Sequence, residues 1–275
     1  MKMDVAFGQY CEGNSLLHRT DPRAKLIISV LYIVAIFLAK NVAAFALLAL
    51  TTVLLVLLGR IPGTIIVRGL KPILFIAAFT AVFNIFFYKG ERLIFDFWII
   101  DIYLEGLINA ALIVLRIVLL LVSTSMLLTY TTTPLALTDA LEQLLSPLSK
   151  IGVPVHDFSM LMTIALRFIP TLIEETEKIM DAQKSRGADF SSGNVVKRVR
   201  ALVPVIIPLF VSAFSRAIEL ATAMEARCYT GGKGRTRMNV LHAGASDFVL
   251  VALTVLIGAA VVLLNIFAPG YSVNM

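Results

Sequence analysis

Residues 155–187, VHDFSMLMTIALRFIPTLIEETEKIMDAQKSRG, carry a continuous helical pattern that ends in the tripeptide Ser185-Arg186-Gly187. Apolar side chains recur every three or four positions, and Glu175 and Lys178 fall on the opposite face. At 1.5 Å per residue the helix would be roughly 48 Å long. It is too long and too charged to cross a bilayer, so we expect it to lie along a membrane or project from it, with a kink at Pro170.

A second stretch of the same kind runs from about 194 to 229 and contains the tripeptide Ala226-Arg227-Cys228 near its end. Its middle is apolar but includes Pro204 and Pro208. We do not assign it as a membrane span, because a span would put the basic residues Arg216, Arg227, Arg235 and Arg237 on the outer side. A shorter amphipathic helix begins at Thr133-Pro134, a cap residue followed by a proline at the first helical position.

The remaining sequence is that of an all-α integral membrane protein. The chain is 59% hydrophobic and 15% charged, less charge than a soluble domain carries. Its apolar runs approach the roughly 20 residues needed to cross a bilayer and lack the period-two alternation of barrel strands. We predict about five spans, at 26–39, 42–58, 72–88, 106–130 and 248–268. The predicted domains are a four-span membrane domain (1–130), a cytoplasmic domain of three coupling helices (131–246), and a final span with an external tail (247–275).

The distribution of basic residues predicts the orientation of the chain. Twenty of the 24 Lys and Arg residues fall on one side if there are five spans, and three fall on the other. Because cytoplasmic loops are enriched in Lys and Arg, we expect the N-terminus inside, the C-terminus outside and localisation in the cell membrane. The same enrichment explains the net charge of +6 without nucleic acid. The aromatic residues of the external connection 89–105, Phe95, Phe97 and Trp98, suggest an interfacial segment.

The sequence lacks the motifs of an enzyme. Gly231-Gly232-Lys233-Gly234 does not have the spacing of a nucleotide-binding loop, and the chain has no H-E-x-x-H motif. Its three histidines, His18, His156 and His242, are dispersed, and we expect them at the surface. We therefore predict neither catalysis nor a cofactor nor a metal site. The polar N-terminus predicts no cleavable signal peptide, and the two cysteines, both placed inside, predict no disulfide.

Arg116 is a lone cation inside the fourth predicted span. One interpretation is an ion or substrate path. The other is a buried Arg that bonds to backbone carbonyls or to Asn84 or Asn109. We favour the second, because a path normally needs several ionisable groups.

The two arginine tripeptides also have two interpretations. Small neighbours at each Arg would let a partner surface approach closely, and the guanidinium fork fits a carboxylate with two hydrogen bonds. A docking surface of Ser185, Arg186, Gly187, Ala226, Arg227 and Cys228 is therefore one possibility. The other is that each Arg only stabilises the negative end of its helix dipole.

The chain resembles the transmembrane (T) component of energy-coupling factor transporters, the EcfT family. The segment Ser15–Lys25, SLLHRTDPRAK, looks like that family's N-terminal segment. The run Arg167–Pro170 followed by Ala182–Gly187 looks like its first Arg motif, and Ala223–Tyr229 looks like its second. The resemblance covers nearly the whole chain, although the motifs read S-R-G and A-R-C where A-R-G is common.

The resemblance implies an L-shaped arrangement of membrane helices and cytoplasmic coupling helices. It implies two ABC-type ATPase subunits bound through the Arg motifs, and a membrane S component that captures a vitamin or a transition-metal ion. The chain would then be a non-catalytic coupling subunit. The alternatives are a self-sufficient permease or channel, which would need paired polar residues across the spans, and an intramembrane enzyme, which would need a catalytic constellation.

Overall fold

A computed structural model of the chain describes residues 10–11, 13–87, 93–97, 100–190, 194–231 and 243–267. Within them the chain forms nine α-helices and two β-strands. The helices are α1 Leu16–Arg19, α2 Pro22–Leu38, α3 Val42–Gly59, α4 Gly63–Phe87, α5 Leu104–Thr124, α6 Pro134–Leu145, α7 Val155–Ser185, α8 Val195–Ala226 and α9 Ala245–Phe267. The predicted all-α membrane class is confirmed. A short hairpin of β1 Leu93–Phe97 and β2 Ile100–Tyr103 is an addition that the sequence did not suggest.

The chain divides into two compact units. Unit 1 consists of Met1–Ala140 and Asn239–Met275, and unit 2 of Leu141–Met238. Helices α1 to α5 and α9 belong to unit 1, whereas α7 and α8 belong to unit 2. The predicted domains at 1–130, 131–246 and 247–275 were defined by position relative to a membrane, and that assignment stays a prediction.

Four predicted spans coincide closely with helices α2, α3, α5 and α9. The five-residue π-helix Ser125–Thr129 continues α5. Helix α4 instead begins at Gly63, nine residues before the predicted start at 72, and runs through Pro72. Arg68 and Lys71 suggested a loop, but both are good helix formers. The proline removes one backbone hydrogen bond and does not end the helix here.

Among the described residues, five helical segments are long and apolar enough to cross a membrane: Val42–Gly59, Gly63–Phe86, Leu104–Thr129, Val196–Ala226 and Ala245–Phe267. The fourth belongs to α8, which we assigned to the cytoplasmic side because of its arginines. Helix α2, the first predicted span, has only 17 residues. The cytoplasmic position of α8 therefore stays a prediction that rests on charge and not on length.

The core of unit 1 is built where α2, α3, α5 and α9 pack together. Ile36, Phe45, Leu48 and Val261 are almost completely buried there. The hydroxyl of Tyr32 donates to the Leu48 carbonyl over 2.8 Å, so the buried phenol is satisfied.

Arg116 lies at the edge of this core. Its Nη2 donates to the Ala39 carbonyl at the end of α2 over 2.8 Å, and its guanidinium carbon lies 5.3 Å from the centre of the Phe45 ring. Bonding to a backbone carbonyl was the interpretation we favoured, and it is confirmed. Asn109 does not reach Arg116; its side-chain amide donates to the Asn84 oxygen at 3.3 Å.

A buried lysine joins the start of α2 to the segment that precedes α6. Lys25 is 2% exposed, and its Nζ donates to the Thr131 carbonyl over 2.7 Å and to the Thr132 hydroxyl over 3.2 Å. The neighbouring Asp21 backbone N–H donates to Asp247 at the start of α9 over 3.2 Å. These contacts fix the position of the segment that leads into α6.

The connection 89–105 contains the antiparallel hairpin. Its register pairs Leu93 with Tyr103 and Phe97 with Ile100, with an irregularity between Leu93 and Phe95. Residues 98 and 99, including the Trp98 that we expected at the interface, lie outside the described residues, as does the tail 268–275. The interfacial role of this connection stays a prediction.

Candidate functional site at the two arginine helix ends

Helix α7 begins at Val155, as predicted, and ends at Ser185 with Arg186 as its C-cap. Gly187 follows with a φ of +87°. The Gly187 N–H donates to the Lys184 carbonyl over 2.9 Å, and the Ala188 N–H donates to the Gln183 carbonyl over 3.0 Å. This pair of bonds defines a Schellman motif, in which a left-handed residue after the cap satisfies the last carbonyls of the helix.

Helix α8 ends in the same way. It spans Val195–Ala226, with Arg227 as its C-cap, and Cys228 follows with a φ of +57°. The Cys228 N–H donates to the Glu225 carbonyl over 2.9 Å, and the Tyr229 N–H donates to the Met224 carbonyl over 3.0 Å. Arg186 and Arg227 therefore occupy equivalent positions in two equivalent caps.

All six residues of the predicted docking surface are exposed: Ser185, Arg186, Gly187, Ala226, Arg227 and Cys228. Within the part of the chain that the structure describes, neither guanidinium has a hydrogen-bond or ion-pair partner. A C-terminal Arg still gains from the helix dipole. The dipole effect does not occupy the guanidinium N–H donors, so both side chains can bind a group from outside the chain.

The other charged side chains in the last turn of α7 pair with each other. Lys184 donates to Asp181 over 2.7 Å, and this hydrogen bond lowers the pKa of the exposed Asp181 carboxyl. The Ser185 hydroxyl donates to the Asp181 carbonyl over 3.0 Å. These contacts leave Arg186 as the available cation at the tip of the helix.

Helices α7 and α8 pack against each other within unit 2, and an ion pair between Arg216 and Glu175 joins them. Both side chains are partly buried. Arg186 follows Glu175 by eleven residues and Arg227 follows Arg216 by eleven residues. Each cap therefore lies about 16 Å along its helix from the same contact.

The prolines within these helices do not interrupt them. Pro170 lies inside α7, and Pro204 and Pro208 lie inside α8, which both continue to their caps. A continuous helix can transmit a displacement at its cap along its full length.

The apolar stripe of α8 is largely exposed in this chain. The rings of Phe210 and Phe214 contact each other at a tilt, with 4.7 Å between their centres. Both side chains remain more than half exposed, as does Ile206. We expected the stripe to be buried against α7 or the membrane. Since α7 does not cover it, a surface outside unit 2 is needed.

Two side-chain pairs within unit 2 were not predicted from the sequence. Besides Glu175–Arg216, the His156 Nδ1 lies 2.9 Å from the Glu142 carboxylate and links the start of α7 to α6. We had placed Glu175 on the solvent-facing side of its helix and His156 at the surface. Opposite charges at inward-facing positions of neighbouring helices could have indicated such pairs. Which residues pair depends on how the two helices are aligned along their length, and the sequence does not give that alignment.

Comparisons with known proteins identify a family that matches most of this chain. Residues 13–238 match a family model described as CbiQ, cobalt transport protein. The chain is 51% identical over 265 residues to the energy-coupling factor transporter transmembrane protein EcfT of Ruminiclostridium cellulolyticum, covering 96% of this chain and 98% of that protein. It is 49% identical over 257 residues to the EcfT protein of Bacillus subtilis, covering 93% of this chain and 97% of that protein.

The match takes in both units and both arginine helix ends, at about half of all positions identical. The apolar helices of unit 1 agree with a multi-pass membrane protein. The chain belongs to the EcfT family, the energy-coupling transmembrane components of energy-coupling factor transporters.

Proposed function

We propose that this chain couples two ABC-type ATPase subunits to a substrate-binding S component, for uptake of a vitamin or a transition-metal ion. In this proposal it hydrolyses no ATP itself. One cap, at Arg186, docks into one ATPase subunit, and the other, at Arg227, docks into the second. The observation that carries the proposal is the pair of equivalent caps, each presenting an exposed Arg without a partner among the described residues.

The chemistry of the caps suits a carboxylate on each ATPase. An arginine held by a Schellman motif projects from a fixed backbone, so its planar fork can meet a carboxylate with two parallel hydrogen bonds. The surrounding Ser185, Gly187, Ala226 and Cys228 are small, which allows a close approach. Docking at both ends would apply force to the ends of α7 and α8, and the Glu175–Arg216 contact would hold the two helices together.

The exposed stripe of α8 supports a second interface. Phe210 and Phe214 present aromatic surface of the kind that is enriched at protein interfaces. In the proposal, the S component and the bilayer cover this stripe. Motion of α7 and α8 during ATP hydrolysis then moves the S component in the membrane.

The proposed orientation places the N-terminus inside and the C-terminus outside, with α7 and α8 in the cytoplasm. It rests on the 20-to-3 distribution of basic residues. Single cysteines can test it in a background without Cys11 and Cys228. A cysteine at Ser272 should react with an impermeant reagent in sealed cells, and one at Ser192 should not. Labelling of Ser192 from outside would contradict the cytoplasmic assignment of α8.

The docking proposal is tested by co-purification of the ATPase subunits and by substrate uptake. Arg186→Ala with Arg227→Ala should lose both, and the corresponding Lys variants should recover only part, because Lys keeps the charge and loses the fork. Matched controls are Lys184→Ala and Arg200→Ala, which remove exposed cations from the same two helices. A pure dipole role predicts intact assembly and nearly full rescue by Lys. Normal assembly and uptake of the double Ala variant would refute the proposal.

A further inference from the structure

A groove with a volume of about 360 Å³ lies between α1 and the C-terminal end of α3 in unit 1. Its apolar wall includes Leu54 and Leu57 of α3 and Leu16 of α1. Its polar end includes Arg19, Arg60 and Asn14. The groove is therefore amphiphilic, with leucines along a membrane-spanning helix, the guanidinium of Arg60 at the end of that helix and the guanidinium of Arg19 on α1.

The apolar wall is open to the surroundings of the protein. Leu57 is 70% exposed, Leu16 is 65% exposed and Leu54 is 51% exposed. Because α3 is long and apolar enough to cross the membrane, its exposed leucines face acyl chains when the protein is in a bilayer. The leucine wall of the groove is therefore open to the acyl region of the bilayer.

The polar end carries positive charge that no described lining residue compensates. None of the described residues that line the groove is acidic. Over the described part of the chain, the side chains of Arg19 and Arg60 have no hydrogen-bond or ion-pair partner. Two arginines that line one groove, with no acidic residue among its described lining residues, are complementary to an anion.

Arg60 also holds a backbone conformation that seldom accommodates an arginine. It is the C-cap of α3 with a φ of +51°, in the left-handed region that favours glycine. Residues held in sparsely populated conformations cluster at active sites and ligand clamps. Here the strain accompanies a guanidinium at the mouth of the groove.

We propose that this groove binds an anionic glycerophospholipid. The headgroup phosphate is held by Arg19 and Arg60, whose forks match its non-bridging oxygens. An acyl chain lies along Leu54 and Leu57. Basic pockets at the ends of membrane helices recognise anionic lipids in this way. An acidic segment of a protein partner fits the charge but not the leucine wall, which faces the acyl region of the bilayer.

Native mass spectrometry of the full chain in its transporter complex tests the proposal. The probes are phosphatidylglycerol and phosphatidylcholine with the same acyl chains, and glycerol phosphate as the headgroup without chains. The variant Arg19→Gln with Arg60→Gln is compared with Arg68→Gln with Lys71→Gln, which removes the same charge from exposed positions of α4 outside the groove. Leu57→Ser tests the apolar wall with both arginines intact.

Wild type should retain phosphatidylglycerol in preference to phosphatidylcholine. The double Arg19→Gln and Arg60→Gln variant should lower that retention by about fivefold for each arginine removed, and the control pair should not. Leu57→Ser should lower retention with little change in charge selectivity. Equal retention of the two lipids, or an unaffected Arg variant, would overturn the proposal. Competition by glycerol phosphate as strong as by the lipid would indicate a soluble phosphate instead. Loss of a protein subunit with unchanged lipid retention would indicate an acidic protein surface.

Discussion

The ends of α7 and α8 share one geometry built from different residues. After the C-cap arginine, α7 continues with Gly187 at a φ of +87° and α8 with Cys228 at a φ of +57°. Both make the same two backbone bonds of a Schellman motif. Glycine adopts this region freely, whereas a side chain at Cβ makes it unfavourable by about 1–2 kcal/mol.

The difference teaches that the position of the arginine, and not the glycine, is what the two ends have in common. At α8 the left-handed residue is formed despite its Cβ, and Arg227 stays at the cap. The tripeptides S-R-G and A-R-C are therefore two solutions to the same placement of a guanidinium. Their equivalence can be tested from the largest expected effect to the smallest.

The largest effect is expected from removing each arginine alone. If the caps dock as proposed, Arg186→Ala and Arg227→Ala should each weaken binding of the ATPase subunits by about 2–5 kcal/mol, because the partner carboxylate would be left buried without its cation. Titration of purified ATPase subunits onto each variant measures the loss. A large loss at one end with none at the other would break the equivalence of the two caps.

A smaller effect is expected at the contact that the two helices share. Glu175→Gln should destabilise the α7–α8 pairing by about 2 kcal/mol, between the values for exposed and buried ion pairs. A double-mutant cycle with Arg216→Gln isolates the pair energy. Since the pair lies eleven residues before each cap, ATPase docking at Arg186 and Arg227 should suffer equally. Unequal loss of docking at the two caps would show that the Glu175–Arg216 pair stabilises only one of them.

Gly187→Ala should loosen the end of α7 by about 1 kcal/mol, because alanine is unfavourable in the left-handed region. A Cβ at Gly187 would meet no atom within 4 Å, so the cost is one of backbone conformation alone. Hydrogen exchange of the last turn should quicken about fivefold. Cys228→Ala is the matched control and should change exchange little, since a Cβ is already present. Equal acceleration in both would contradict the argument.

Cys228→Gly should have the smallest effect and the opposite sign. Relief of the left-handed strain is partly offset by the greater freedom of glycine in the unfolded chain, which leaves about 0.5 kcal/mol of stabilisation at the end of α8. Slower hydrogen exchange of that last turn measures it. ATPase docking through Arg227 should be unchanged. Weaker docking would show that the Cys228 side chain itself contacts the partner.

Local sequence predicted the helix ends well. Periodic apolar positions and the stop at Gly187 placed α7 to within a residue, and Thr133-Pro134 placed the start of α6. Gly231-Gly232 made α8 seem to continue to Tyr229, but it ends at Ala226. The sequence could not show this, because cysteine rarely adopts a left-handed conformation and carries no stop signal.

Interactions between distant segments were out of reach of pattern reasoning. Lys25 counted only as one of the cytoplasmic cations, yet it is buried and bonded to Thr131 and Thr132. The hairpin 93–103 was also missed, since Asp96 and Asp101 fall opposite each other and weaken its strand pattern. The carbonyl partner of Arg116 was foreseen because a buried guanidinium needs an acceptor.

The buried Lys25 sets an order for biogenesis. The acceptors of Lys25, at Thr131 and Thr132, are synthesised more than a hundred residues after it. The carboxylate of Asp247, which accepts a hydrogen bond from the backbone N–H of Asp21, is synthesised later still. A nascent chain that has inserted only α2 and α3 therefore carries a lysine that has not yet met its partners. The first long helix to leave the ribosome, α2, can reach its final packing only after most of the chain has been synthesised.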